Sequence, residues 1–358
     1  MIKKKIMQLL LVVLIGIILL PSAIIAEATD QSGQNKEAIG FTVKPVLPNN
    51  QVDSSKGFYF LKVEPGQQQS IQLRVISTRE EARTVRIHVN DAVTSAEGSI
   101  EYGIDEPELD ESLQSPISEV VTVPESYREI TVENFEEKTV QFDIAPPQDA
   151  FTGIKAGAFR ILGVPEGEEK KKSGLTVQTG YTIGIVLTED AAQYNAGGNL
   201  NLKKTEVILS NGSKVIGVTL QNDQPKIIEG LELKAEIMKK GSTKVLYKTT
   251  GKDLAVAPNS RFTYEVPMGI DNVTAGNYTL QLTLKNDEKE WTWEEDFLVT
   301  GEQAASLNDE TIDKIITPSW VSPMAIVLTV SLVGTGSYLP YRRKKIKKKN
   351  KIRRKKKK

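Results

Sequence analysis

From residue 315 to residue 341 the chain carries no charged side chain; it then turns to Arg342-Arg343-Lys344-Lys345 and stays basic to Lys358. A helix needs roughly 20 apolar residues to cross a hydrocarbon core of about 30 Å. The uncharged run is long enough, and Met324-Ala-Ile-Val-Leu-Thr-Val-Ser-Leu-Val333 gives it an apolar centre. Trp320 at one end and Tyr338 and Tyr341 at the other suit the two lipid–water interfaces, where amphipathic rings settle. Arg342 and Arg343 lead the fourteen Lys and Arg of the tail. The positive-inside bias keeps such a block cytoplasmic, and it also suits anionic lipid heads. A soluble core helix rarely abuts a charge block of this kind. Residues 318–341 are therefore expected to form one C-terminal transmembrane helix, with 301–317 as a stalk and 342–358 as a basic cytoplasmic tail.

The other end agrees. Three lysines at positions 3–5 precede an apolar run from residue 7 to residue 20, and Ala26-Glu27-Ala28 supplies small residues in the A-x-A pattern. That is the layout of a secretory signal peptide. It is read as residues 1–26, with cleavage after Ala28 the other fit. The expected localisation is a single-pass protein of the cell membrane, its large N-terminal part extracellular.

The net charge of zero over 358 residues then conceals a separation. Setting aside the fourteen cations of the tail and the three of the signal leaves 29 Lys and Arg against all 46 Asp and Glu, about −17. Such a surface disfavours nucleic acid, whose phosphates need a basic footprint. The chain has no cysteine, so disulfides cannot staple it. Cysteine-free extracellular domains of this size point to a Gram-positive bacterial surface.

After a polar leader (27–38), strand patterns begin. Ile71, Leu73 and Val75 alternate with polar residues, as do Val85, Ile87 and Val89, and Val140, Phe142 and Ile144. Period-two alternation means one packed face and one wet face. Glu64-Pro65-Gly66 and Asn211-Gly212 read as turns. The pattern fails between residues 92 and 120, where 105–111 is an acidic excursion expected to end in a helical turn near Ser112 and Leu113. A charged stretch without apolar residues, 166–174, is taken as a linker between a first domain (39–165) and a second (175–300). Short strands about every 10 residues predict an all-β chain of two immunoglobulin-like β-sandwiches. No long amphipathic helix is expected between the signal and the anchor.

Catalytic chemistry finds little purchase. His88 is the single histidine and sits on the polar side of its strand, which reads as solvated; a catalytic role would need a nucleophile and an orienting acid beside it. Without cysteine and with one histidine, zinc sites of ordinary composition are excluded. The acidic run 105–111 lacks the spacing of a known calcium loop. No cofactor and no metal is expected. Asn211-Gly-Ser, Asn272-Val-Thr and Asn277-Tyr-Thr match the glycosylation pattern, which matters only in a eukaryotic secretory route. Tyr338-Leu339-Pro340-Tyr341 is not a sortase signal. Trp291 and Trp293 face the same way on a strand; core packing is the first reading and an aromatic binding strip the second.

Phe41-Thr-Val-Lys-Pro-Val-Leu-Pro-Asn-Asn-Gln51, followed by Tyr59-Phe-Leu-Lys-Val-Glu-Pro-Gly-Gln67, resembles the opening of the WxL-interacting proteins of Gram-positive bacteria. Phe151-Thr-Gly153 and Ala156-Gly157 match the end of that family's first domain. Leu254-Ala-Val-Ala-Pro-Asn-Ser260, Ala275-Gly-Asn-Tyr278 and Trp291-Thr-Trp293 resemble its second. The resemblance covers essentially the whole chain. It implies a non-enzymatic surface protein with a peptidoglycan-binding first domain, a second domain associated with host ligands such as extracellular-matrix protein, and WxL-domain surface proteins as partners. No Trp-x-Leu occurs here, so the chain would be the anchored partner. No ligand-binding residue follows from the family alone. The expected function is a membrane-anchored scaffold and adhesin. A wall-modifying glycosidase working through two carboxylates is the alternative from another class. A surface sensor is a further one, disfavoured by a tail too short for a signalling domain.

Overall fold

The computed structural model describes residues 39–165, 178–313 and 323–329. Two compact units emerge: Met1–Val93 with Glu101–Ala196, and Thr94–Ile100 with Gly197–Lys358. Among the described residues both consist mainly of strands.

In the first unit run β1 (Phe41–Val46), β2 (Tyr59–Lys62), β3 (Gln69–Ser77) and β4 (Arg83–Asp91). After the two-residue β5 (Val93–Thr94) and β6 (Ile100–Glu101), between which the chain runs through the Thr94–Ile100 piece of the second unit, come α1 (Ile117–Val120), β7 (Val121–Thr122), α2 (Glu125–Arg128) and β8 (Glu129–Val132). β9 (Glu137–Ile144), β10 (Ile154–Gly163) and β11 (Gly180–Thr188) complete it. One sheet has the order β1-β3-β9-β7 and the other β2-β11-β10-β4-β8. The alternating apolar positions of both sheets meet in a single core: Leu73, Val75 and Phe142 from one, and Ile87, Phe159 and Ile185 from the other. Across it the rings of Phe142 and Phe159 stack with centroids 4.0 Å apart. Gly157 is required by close approach. A Cβ there would lie 2.5 Å from the Asn90 carbonyl oxygen and 2.7 Å from Ile117.

The second unit contains β12 (Leu200–Ser210), β13 (Ser213–Asn222), β14 (Ile228–Lys239), β15 (Val245–Val256), β16 (Ser260–Pro267), β17 (Gly276–Lys285), β18 (Glu290–Val299) and α3 (Gly301–Glu310). Its sheets have the orders β12-β13-β16 and β15-β14-β17-β18. Asn211 and Gly212, both at positive φ (50° and 81°), turn β12 into β13 as a tight hairpin demands. The motif at 254–260 closes on the short Thr94–Ile100 piece: the Ala257 N–H donates to Thr94 Oγ1 (3.0 Å), and Thr94 Oγ1 and Ser260 Oγ lie 2.7 Å apart. Asn222 Nδ2 donates to the carbonyl oxygens of Lys226 (2.7 Å) and Ala257 (2.9 Å) from below.

Three expectations are corrected. The strand that was to open the second domain at residue 175 is β11, which pairs antiparallel with β10 from Ile154↔Thr188 to Leu162↔Gly180 and parallel with β2. Its apolar residues Ile185 and Leu187 fill the first core. A polar stretch between two strands does not tell a hairpin connection from a domain linker; 166–174 itself lies outside the described residues. The first ten residues of the expected stalk are α3, capped by Thr300, whose Oγ1 accepts from the Gln303 N–H while the Gln303 side chain reaches back to the Thr300 N–H. It docks through buried Ala304, and Asn308 exchanges two hydrogen bonds with the Val273 backbone (2.8 and 2.9 Å). The helical turn expected near Ser112 is a plain turn in which Asp110 Oδ1 accepts from the Ser112 N–H (3.0 Å); the helix forms at α1 instead.

The pairing of β11 makes a direct prediction. A fragment of residues 39–165 loses five partly or wholly buried side chains of β11 (Tyr181, Ile183, Ile185, Val186 and Leu187), about 1.5–3 kcal/mol each when fully buried, comparable with the whole stability of a domain. It should show no cooperative melting transition, whereas 39–196 should; circular dichroism against temperature decides between them.

Candidate ligand-binding grooves

Alternation sends Val85 and Ile87 of β4 into the core and Arg86, His88 and Asn90 outward. Asn90 is nevertheless 6% exposed, because the chain at 102–105 lies over it. Its Nδ2 donates to the carbonyl oxygens of Tyr102 (2.9 Å) and Ile104 (3.1 Å) and to Asp105 Oδ1 (3.0 Å). One residue further on, the Asp91 carboxylate accepts from the Ser118 N–H (3.2 Å) and hydroxyl (2.5 Å), fixing the start of α1. Buried Lys155 of β10 holds the approach to α1, its Nζ donating to the Gln114 carbonyl oxygen (2.5 Å). Burial pushes the Lys155 ammonium below its ordinary range, with Glu189 and Glu119 pulling it back up.

These anchors frame a groove of ≈ 960 Å³. Its floor is β4 from Arg86 to Asp91. One wall carries Asp105, Glu106, Pro107 and Leu109, the other Val121, Val123, Glu125, Arg128 and Glu129. Arg86 pairs with Glu129 at 2.8 Å and Arg128 with Glu125 at 3.0 Å. Three of the lining carboxylates, those of Asp91, Asp105 and Glu106, face no cation in either pair. The acidic excursion thus serves as a wall, and among the described residues no group of side chains is arranged to hold a metal ion. His88 lines the groove half-buried, opposite Arg160 in the β4–β10 register.

A second groove, ≈ 520 Å³, opens between the β1–β2 and β2–β3 connections. Its lining includes Asn49, Asn50, Gln51, Gln67 and Gln69, with Lys62 and Glu64 as the charged members. Gln51 is structural: its Nε2 donates to the Asp53 and Phe58 carbonyl oxygens and its Oε1 accepts from the Phe60 N–H. Asn50 Nδ2 donates to the Lys62 carbonyl oxygen (2.7 Å) and to Gln69 Oε1 (2.9 Å). The Nε2 of Gln69 is buried with no hydrogen-bond partner among the described residues. Asn49 and Gln67 are exposed. Sequence reading missed this amide cluster, because amides scattered through two turns look like ordinary loop polarity until the loops converge.

Trp291 lies in the core of the second unit, 8% exposed, and Trp293 packs against that core, so the packing reading of the pair holds. Trp320, Tyr338, Tyr341, Arg342 and Arg343 lie outside the described residues. Of the expected membrane segment only 323–329 is described; it is helical, with Met324, Ile326, Val327 and Leu328 exposed. Among the described residues no helix is long and apolar enough to cross a membrane.

The Asn90 clamp is testable. Asn90→Ala strands two carbonyl groups and should cost about 1–3 kcal/mol. Hydrogen exchange should quicken at 102–109 and stay unchanged in β3 and β9.

Comparison with known proteins adds the following. The family model for the peptidoglycan binding domain of the WxL Interacting Protein matches residues 41–162, and that for its host binding domain matches 170–309. The second match begins ahead of β11, which hydrogen-bonds within the first unit. No curated protein matches the chain. Among solved structures, similarity is found to a chaperone–tip adhesion subunit pre-assembly complex of the archaic Csu pili of Acinetobacter baumannii (12% identity, 71% of this chain and 97% of that chain, TM-score 0.30). The CupB2 chaperone of Pseudomonas aeruginosa is similar at 16% identity, 65% and 96% coverage and TM-score 0.26. A PapD-like domain of human CEP192 follows at 11%, 48% and 95%, and 0.28. Likenesses this faint assign no role. The two family matches tile most of the described residues, and the chain belongs to the WxL-interacting protein family.

Proposed function

We propose that this chain is a membrane-anchored, non-enzymatic scaffold of a Gram-positive cell surface, binding peptidoglycan through its first unit and host ligands through its second. WxL-domain surface proteins would be its partners. The observation that carries the reading is the pair of binding-domain matches, one over each half of the chain. Tyr278 supports an immunoglobulin-like reading of the second unit: buried on β17, its hydroxyl donates to the Thr274 carbonyl oxygen (2.6 Å), the back-bond of a tyrosine corner. The uncharged run at 315–341 and the basic tail supply the anchor.

Within the first unit the amide-lined groove suits a wall glycan. Each primary amide offers two donors and one acceptor oxygen, matching hydroxyl and acetamido groups without any charge. Asn49 and Gln67 are exposed enough to make such bonds, and the unpaired Gln69 Nε2 would gain its missing acceptor.

Two experiments test this. Full-length protein in detergent should sediment with purified sacculi, and the double variant Asn49→Ala/Gln67→Ala should do so severalfold less. Raising ionic strength from about 0.1 M to about 1 M shortens the Debye length from about 10 Å to about 3 Å and should not weaken binding. Wild-type protein left in the supernatant ends the wall-binding reading. A chain stopped after Asp313 should appear in the medium; its retention in washed membranes would show another anchor.

A further inference from the structure

The second unit gathers its exposed apolar side chains at one end. Its strands alternate in direction, so β12, β14, β16 and β18 finish, and β13, β15 and β17 begin, at the end that carries α3. Between residues 197 and 313 the exposed large apolar side chains are Val245, Leu246, Ile270, Leu298 and Ile312. All five sit at that end: at the start of β15, in the β16–β17 connection, at the end of β18 and just past α3. Ile270 is 57% exposed and Ile312 72%. Singly such residues are ordinary; five at one end of a unit mark an interaction surface.

Hydrogen bonds fix this end. The Ile312 N–H and the Thr311 hydroxyl both donate to the Gly212 carbonyl oxygen (2.9 and 3.1 Å), and Lys214 Nζ donates to the Asp271 carbonyl oxygen (2.8 Å). The β12–β13 turn is thus tied both to Ile312 and to the loop that carries Ile270. The uncharged run then opens at residue 315, two residues beyond Asp313. With a span starting at 318, five residues at no more than about 3.6 Å each leave a tether of at most about 18 Å. A ten-residue strand of this unit runs about 33 Å. So short a tether, fastened at the α3 end, holds that end beside the outer face of the bilayer.

We propose that the α3 end of the second unit rests on the lipid surface, with Ile270 and Ile312 at the boundary between headgroups and acyl chains and the other three apolar residues at the rim. This deepens the anchored reading given above, on which it rests. Charge contributes little: Lys240 pairs with Asp296 (2.6 Å), and Lys239 is engaged by the Thr274 hydroxyl (3.0 Å) and the Tyr278 ring. Apolar contact therefore carries the seating, and a zwitterionic lipid suffices. The connections at 223–227 and 286–289, at the opposite end, are then the first parts of the unit that an extracellular ligand meets.

The chain has no cysteine, so single cysteines can carry a fluorophore. Ile270→Cys, Ile312→Cys and, at the opposite end, the exposed Asp287→Cys are labelled with bimane in full-length protein, one chain per phosphatidylcholine nanodisc. Lipid bearing a nitroxide at its headgroup should quench the labels at 270 and 312 severalfold more than the label at 287. A long Gly/Ser spacer inserted after Asp313 should leave the chain in the disc and lower quenching at 270 severalfold, because it dilutes this end at the surface. Ile312→Asp should lower quenching at 270 with the melting temperature unchanged. Equal quenching at 270 and 287, no quenching at 270 and 312, or indifference to Ile312→Asp would overturn the proposal. A chain that fails to float with lipid ends the anchored reading too, whereas one that floats unquenched ends this inference alone. Fluorescence changes at 270 and 312 that grow with the number of chains per disc, without nitroxide, would assign this end to a second copy and also overturn it.

Discussion

A strand has two edges, and the main-chain groups on both must find partners or water. In the first unit lateral pairing meets much of that demand. β10 sits between β11 and β4, and β3 between β1 and β9. β4 satisfies one edge in full and the other only as far as Arg86. Beyond Arg86 the chain around β4 is held by side chains in place of a ladder. Asp91 pins the start of α1, and Asn90 clamps the 102–105 segment over the outer face.

Without cysteine the chain fixes its loops by another chemistry. Amide side chains do the stapling: Gln51 across the β1–β2 connection, Asn90 over the sheet, Asn222 under the β15–β16 turn, Asn308 between α3 and Val273. Each primary amide bonds two or more main-chain groups at once, and each such bond is worth about 1 kcal/mol net. The same groups, once buried, would cost more than that if left unpaired. Apolar alternation therefore decides that sheets form, while buried amides decide where the connections lie.

Much of this was legible in the sequence, and the failures share a cause. Ile71, Leu73 and Val75, or Val140, Phe142 and Ile144, declare their strands because a solvated face and a packed face alternate at period two. Trp291 declared its burial in the same way. The charged stretch at 166–174 misled because local polarity reports solvent, not topology. Whether β11 returns to β10 or begins a new core depends on long-range pairing of Ile154 with Thr188 and its neighbours, which no window of sequence contains. α3 was missed although its capping box, Thr300 with Gln303, stood in the sequence, since its single buried contact, Ala304, gives too narrow an apolar stripe to mark a helix. Asn90 escaped because a polar residue on an outward position reads as solvated; only the return of 102–105 buries it. The grooves were invisible for the same reason, being properties of converging loops.

Charge explains why recognition of a cell wall by such a chain would rest on amides. Outside the lysines at 3–5 and the C-terminal tail, 29 Lys and Arg face 46 Asp and Glu. A protein this acidic gains nothing from long-range attraction to an anionic wall, and repulsion between like charges extends over a Debye length of about 8 Å at physiological ionic strength. Contacts that work there must be short-ranged and neutral, which is what Asn49, Gln67 and Gln69 offer.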